Sequence, residues 1–220
     1  MKRIEPRPRV TTKDAPKDCQ VCPRLSRYRD ENRAANPDWF NGAVPSFGDP
    51  DARLLIIGLA PGVTGANRTG RPFTGDWAGD LLYPTLAKFG LSRGVFAANA
   101  QDGLELVNCM ITNAVRCVPP QNKPTGAEVN ACRPFLSAQI AALPQLRTLV
   151  TLGKIAHDST LRALGARVAA HPFGHNLQYR IGALSIRASY HCSRYNTNTG
   201  RLTAEMFEDV FREAVAEALA

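Results

Sequence analysis

No stretch of this 220-residue chain approaches the roughly 20 consecutive apolar residues that span a bilayer. The opening MKRIEPRPRV lacks the apolar core of a secretory signal. A cytoplasmic protein without membrane attachment is therefore expected. Acid is in short supply: 19 Asp and Glu face 27 Lys and Arg, giving a net charge of +8. That excess points toward a polyanionic partner, although many basic proteins bind none. No internal repeat or low-complexity segment is present. Hydrophobic content of 44% and charged content of 21% are ordinary for one globular domain with a sizeable core.

What is present is a strand–loop–helix unit at residues 53–80, RLLIIGLAPGVTGANRTGRPFTGDWAGD. Leu54 to Leu59 is an apolar run of one buried strand's length. A loop with Gly58, Gly62, Gly65 and Gly70 follows, and a helix is expected from Asp76, with Leu81, Leu82, Leu86 and Phe89 on one face. The loop lacks the GKS or GKT of a P-loop and the spacing of a dinucleotide fingerprint. Glycines let backbone N–H groups approach a ligand, and a helix start favours anions. Phe73 inside this polar loop suits stacking on a flat substrate; the alternative is a ring folded back onto the core.

Six cysteines in a chain of this kind do not read as a disulfide framework. Cys19 and Cys22 form a CxxC, and Cys117 and Cys132 follow with fourteen residues between them. Four thiolates in two pairs suit zinc or an iron–sulfur cluster, and spacing does not choose between them. Cys109, in the apolar run Leu106–Ile111, reads as core.

The rest of the chain alternates. Residues 1–17 read as a basic, proline-containing arm and 18–220 as a single domain. A polar helix is expected over about 25–35, loop over 36–50, and irregular structure over 91–104. A second strand spans Leu106 to Val115, ending near Asn113, Arg116 and the rigid loop VPPQNKPTGAE. Thr125 to Glu128 resembles a capping box for a helix over 126–142. Further strands are expected at Thr148–Leu152 and Leu184–Ser189, with a helix over about 154–164. After the polar loop SYHCSRYNTNTGRL, Thr203 caps a last helix with Met206, Phe207, Val210, Phe211 and Val215 inward. This order argues for an α/β fold: a three-layer α/β/α sandwich with a short, mainly parallel central sheet.

Three strand-end loops now stand together: GLAPGVTGANRTGRPFTGD, TNAVRCVPPQNKPT and SYHCSRYNTNTGRL. With the CxxC and the cysteine of ACRPFL, they closely resemble the type B (family 5) uracil-DNA glycosylases over about residues 17–215. These are iron–sulfur members of the uracil-DNA glycosylase superfamily. The resemblance implies a 4Fe–4S cluster on Cys19, Cys22, Cys117 and Cys132. It implies removal of uracil from DNA, with tolerance for hypoxanthine and xanthine. By motif position Gly58, Ala60, Pro61 and Gly62 shape the substrate loop, Phe73 stacks on the flipped base, Asn113 reads its edge, and His191 stabilises the leaving group. Two departures stand out. Ala60 occupies the place where the wider superfamily carries a polar, water-orienting residue, so Asp76 becomes the candidate for that task. The usual His-Pro-Ser reads His191-Cys192-Ser193, which should loosen the loop.

Each role has a plainer rival. His191 could be a surface histidine, Asn113 a strand-ending turn, and Asp76 only an N-cap. A His191–Cys192 thiol dyad is rejected, because neighbours in an extended segment face opposite ways. Arg194, Tyr195 and Asn196 could wedge into a duplex or form a solvated loop. Of Arg68, Arg71, Arg194 and Arg201, in or beside the strand-end loops, several are expected to meet phosphates. Taken together, a monomeric glycosylase acting on uracil-containing DNA is expected. A non-catalytic, metal-stabilised nucleic-acid-binding module is the alternative, and a redox iron–sulfur protein a weaker third.

Overall fold

The computed structural model describes residues 14–220. The helices are α1 (Pro23–Ala35), α2 (Ala66–Thr69), α3 (Trp77–Lys88), α4 (Gly126–Ala141), α5 (Lys154–Ala163), α6 (Arg194–Asn198) and α7 (Ala204–Leu219). The strands are β1 (Phe47–Gly48), β2 (Leu54–Gly58), β3 (Ser92–Arg93), β4 (Glu105–Leu106), β5 (Cys109–Asn113), β6 (Thr148–Leu152), β7 (Gln178–Ile181) and β8 (Leu184–Ser189). Six strands form one sheet in the order β1-β5-β2-β6-β8-β7. Neighbours from β5 through β8 run parallel, and both edge pairings are antiparallel. The expected mainly parallel sheet is therefore present. No helix among the described residues is long and apolar enough to cross a membrane.

Alternation along β2 builds the three layers. Leu54 and Ile56 pack with Leu82 and Leu86 of α3 and Phe207 and Phe211 of α7. Leu55 and Ile57 face the other way, onto Leu136 and Ile140 of α4 and Ala156 and Leu161 of α5. A strand buried on both faces can be apolar throughout, as β2 is. A third, smaller core joins Ala15, Leu25, Ala43, Val115 and Val129 to the cysteines at 117 and 132.

Several elements start where expected, for local reasons. The Thr125–Glu128 capping box is complete: Glu128 N–H donates to Thr125 Oγ1 at 3.3 Å and Thr125 N–H to Glu128 Oε2 at 2.8 Å. Thr203 caps α7, accepting from Met206 N–H at 3.1 Å. Met206 and Val215, partly buried, pack against the inner core as expected, and Ala214 and Ala218 complete that stripe of α7. Other expectations need correction. The expected strand over 106–115 is split into β4 and β5. Asn108 takes a φ of 54° there, and its N–H donates to Asp49 Oδ2 at 2.9 Å, which ends the extended run. The one-turn helix α6 lies within the stretch read as a polar loop, and the polar edge strand β7 falls where no element was expected. Of the arm expected over 1–17, residues 1–13 lie outside the described residues. Residues 14–17 are docked on the domain: Asp14 pairs with Arg116 at 2.8 Å, and Lys17 lies 4.8 Å above the ring of Phe40.

Candidate active site

The four parallel strands end on one edge, at Gly58, Asn113, Leu152 and Ser189. Ligands of open α/β sheets bind beyond this carboxyl edge. Gly58 and Asn113 face each other in register on β2 and β5. A Cβ on Gly58 would stand 2.3 Å from Asn113 Oδ1 and 2.6 Å from Phe73 Cζ. Only glycine therefore lets the amide and the ring meet over that strand end. Asn113 is buried, and its Oδ1 has no hydrogen-bond partner among the described residues. A buried acceptor left unmade is costly, so it marks a place made for a polar ligand.

Phe73 is 6% exposed and takes a φ of 53°, unusual for an aromatic residue. The ring therefore packs in the core, the rival reading, with His191 as an aromatic neighbour. The centroids of its ring and the His191 ring lie 6.0 Å apart, with the planes at 26°. A sandwiched base needs roughly 7 Å, about 3.5 Å on each face. The histidine accordingly addresses an edge of the ligand rather than its face.

His191 follows β8. Burial pushes its pKa down to about 4, so the ring is neutral near pH 7, with one N–H donor and one acceptor nitrogen. Its Nδ1 is buried without a partner among the described residues. Gly153, which takes a φ of 94°, packs beside His191. Cys192 is fully buried in the core, pointing away from this chemistry.

Of the two readings offered for Asp76, the N-cap is the one the structure displays. Its Oδ1 caps α3, accepting from Gly79 N–H at 3.3 Å. Its Oδ2 lies against the glycine loop, so that a Cβ on Gly65 would approach it to 2.3 Å. Burial holds its pKa above the usual carboxylate value.

A cleft of about 720 Å³ opens above this edge. Ala60, Gly62, Asp76 and His191 line it, whereas Asn113 and Phe73 are buried and are not among its lining residues. Pro61 is buried beneath the loop, and Ala60 also packs against the cysteine core. The lining residues not foreseen include Trp77, Asn122 and Lys154. Asn122 follows the tandem prolines, and it and Gln121 both take φ near 55°. A polar pair after Pro-Pro was the available signal.

The basic residues divide. Arg68 and Arg194 are exposed; Arg194 lies 5.3 Å above the Trp77 ring, and Tyr195 is 72% exposed at the rim. Arg71 is a correction. It is 4% exposed, and both Nη atoms donate to the Asp102 carboxylate at 2.7 Å, while Nε donates to Thr74 Oγ1 at 2.8 Å. Its guanidinium braces the loop around Phe73 and does not reach solvent. Asn196 Nδ2 donates to His191 O at 2.8 Å, and Arg201 lies 4.6 Å above the Tyr190 ring.

The four cysteines expected as ligands line one small cavity with Leu25, Val115 and Phe135. All are free thiols. No group of three or more His, Cys, Asp or Glu among the described residues is arranged to hold a metal ion. The donor set nonetheless suits a larger, thiophilic group: four sulfurs from three segments, with the Arg116 N–H aimed at Cys132 Sγ at 3.3 Å.

Fold and site define an α/β protein that presents a buried amide, an aromatic ring and a neutral histidine at the carboxyl edge of a parallel sheet. The chain belongs to the Uracil DNA glycosylase superfamily, whose model matches residues 45–215, and within it to the type-5 group. The type-5 uracil-DNA glycosylase of Thermus thermophilus is 48% identical over 203 residues, spanning 89% of this chain and 92% of its own length. That of Pyrobaculum aerophilum is 40% identical over 205 residues, 91% of this chain and 89% of its own. A type-4 uracil-DNA glycosylase of the same organism is 35% identical over 152 residues, 69% of this chain and 63% of its own.

Proposed function

We propose that the protein is a DNA-repair glycosylase that removes uracil from DNA and leaves an abasic site. The observation that carries this reading is the meeting of Asn113 and Phe73 over Gly58, with His191 at 6.0 Å from the same ring. Such a pocket can take a base only after it leaves the stack. Phe73 receives one face of the flipped base, and Asn113 pairs with its polar edge. The C1′–N1 bond breaks and its electron pair stays on the uracil. His191 donates an N–H toward the oxygen where that charge gathers, which is commonly worth roughly 3 kcal/mol. A water oxygen then bonds C1′, and its proton ends on the base or in solvent. Asp76 orients this water and faces the positive sugar, a task that Ala60 cannot perform.

The size of the cleft and the absence of a polar side chain at Ala60 support acceptance of hypoxanthine and xanthine as well. Cys19, Cys22, Cys117 and Cys132 would hold a 4Fe–4S cluster. When bound, the cluster supplies a covalent cross-link between the segment before α1, the loop after β5 and helix α4. The free thiols and basic rim support a monomer working in the reducing cytoplasm.

The test is incubation with duplexes carrying one uracil, hypoxanthine or xanthine, followed by alkali to break abasic sites. Cleavage at uracil is expected. A protein that binds these duplexes and releases no uracil would sink the enzymatic reading; failure on the purines alone would narrow it to uracil.

A further inference from the structure

The chain around His191 is gripped by contacts that bond cleavage does not itself require. β8 ends at Ser189, whose carbonyl accepts from Gly153 N–H at 2.8 Å. The next N–H, that of Tyr190, donates to His175 Nδ1 at 3.2 Å. The Tyr190 ring stacks on His175, with centroids 5.0 Å apart, and carries the Arg201 guanidinium 4.6 Å from its own centroid. From the other side, Asn196 Nδ2 donates to His191 O at 2.8 Å. Asn196 is itself anchored, since its carbonyl accepts from Leu202 N–H at 3.0 Å and Leu202 is buried.

Two residues of a basic loop tip thus turn back onto the histidine segment. A proline after His191 would fix φ near −65° unaided. Cys192 imposes no such limit, so orientation must come from side chains. We propose that Tyr190, Asn196 and Arg201 are positioning residues that hold His191 toward the Phe73 ring. This rests on the reading of His191 as leaving-group donor. Asn196 fixes the carbonyl of His191, and Arg201 and His175 fix the ring and N–H of the residue before it. Arg201 and Asn196 therefore act through His191 and not through phosphate.

Single-turnover excision at saturating enzyme tests this, with Arg201→Ala and Asn196→Ala each made in the parent and in His191→Ala. Amide hydrogen exchange of residues 190–193 and the salt dependence of duplex binding are measured on the same proteins. Arg201→Ala should slow excision about two- to fivefold, the range of an exposed cation–π contact, and Arg201→Lys should recover part of it. Asn196→Ala should slow it about two- to tenfold, the range of one hydrogen bond. Neither should slow the His191→Ala protein further, and both should quicken exchange at 190–193 while leaving the salt slope unchanged. Equal slowing in the two backgrounds overturns the proposal, as does a loss of about 0.9 from the slope on Arg201→Ala, which marks a phosphate contact. If His191→Ala excises as fast as the parent, the donor role of His191 fails. Exchange at 190–193 then still decides the clamp: quickened exchange upholds it and unchanged exchange overturns it.

Discussion

Gly58 is where one methyl group should do the most damage. Its Cβ would fall 2.3 Å from Asn113 Oδ1 and 2.6 Å from Phe73 Cζ, and neither neighbour can retreat from a packed interior. Gly58→Ala should cost about 1–3 kcal/mol in stability by overpacking and should abolish base engagement, as thermal melting and uracil excision would read. Retained activity would place the base elsewhere. His191→Ala should slow uracil release by roughly two to three orders of magnitude, the loss typical of one oxyanion donor. The histidine also has a pH signature. Its pKa is about 4 folded against an ordinary 6.5, so below pH 6.5 the unfolded chain takes up a proton that the folded chain refuses. Stability is lost as pH falls from 6.5 toward 4, and His191→Gln should remove part of that loss. His157 and His175, also held low by burial, retain the remainder. Asp76→Asn separates two roles. Asn caps a helix as well as Asp does. A buried carboxyl with a raised pKa disfavours folding at neutral pH, so the melting temperature should hold or rise while excision falls. Unchanged excision at an unchanged melting temperature would leave Asp76 as a cap alone. His191 was legible because it stands where an apolar strand stops, and Asp76 because it stands where a helix begins. Arg71 was not, because its partner Asp102 lies 31 residues away in a stretch without periodicity.

At the scale of elements, the cysteine core ties together pieces that otherwise share few contacts. Cys19 and Cys22 precede α1, Cys117 follows β5, and Cys132 sits on α4, all against Leu25, Val115 and Val129. Ala60 of the substrate loop leans on the same core. Purified protein should therefore be brown, with broad absorbance near 400 nm, a region expected for iron–sulfur chromophores. Cys117→Ser should lose colour and solubility together. A colourless parent carrying one stoichiometric zinc would overturn the cluster assignment. The sequence made α4 and α7 readable because their caps are local: a threonine and the residue three positions on settle where each helix begins. It hid β7, whose residues alternate between exposed and half-buried on a polar edge and pair only with β8. It also hid the break at Asn108, which depends on Asp49 of a distant loop. Local signals carry elements; partners far along the chain decide where they stop.

For the whole molecule, the question is how much of the +8 charge meets DNA. Net charge alone suggests a steep salt dependence, but the structure spends several cations internally. Arg71 is paired with Asp102, Arg116 with Asp14, and Arg187 with Glu217. Lys154 lines the cleft but faces Asp158 at 2.7 Å, and Arg201 lies over Tyr190. Arg68 and Arg194 remain exposed beside the cleft. Each phosphate neutralised contributes about 0.9 to the log–log slope of duplex affinity against salt. Two or three cations at the rim therefore give a slope of roughly −2 to −3. Arg194→Ala should reduce that slope by about one phosphate, weakening binding of all sequences alike. Arg71→Lys should leave it unchanged while slowing excision, because a lysine cannot reproduce the bidentate grip on Asp102 that braces the Phe73 loop. The measurement is a salt titration of binding to an abasic-product duplex, which isolates the phosphate contribution from base capture. If Arg71→Lys flattened the slope as much as Arg194→Ala, the buried pair would have to open on DNA, and the division between bracing and binding arginines would be wrong.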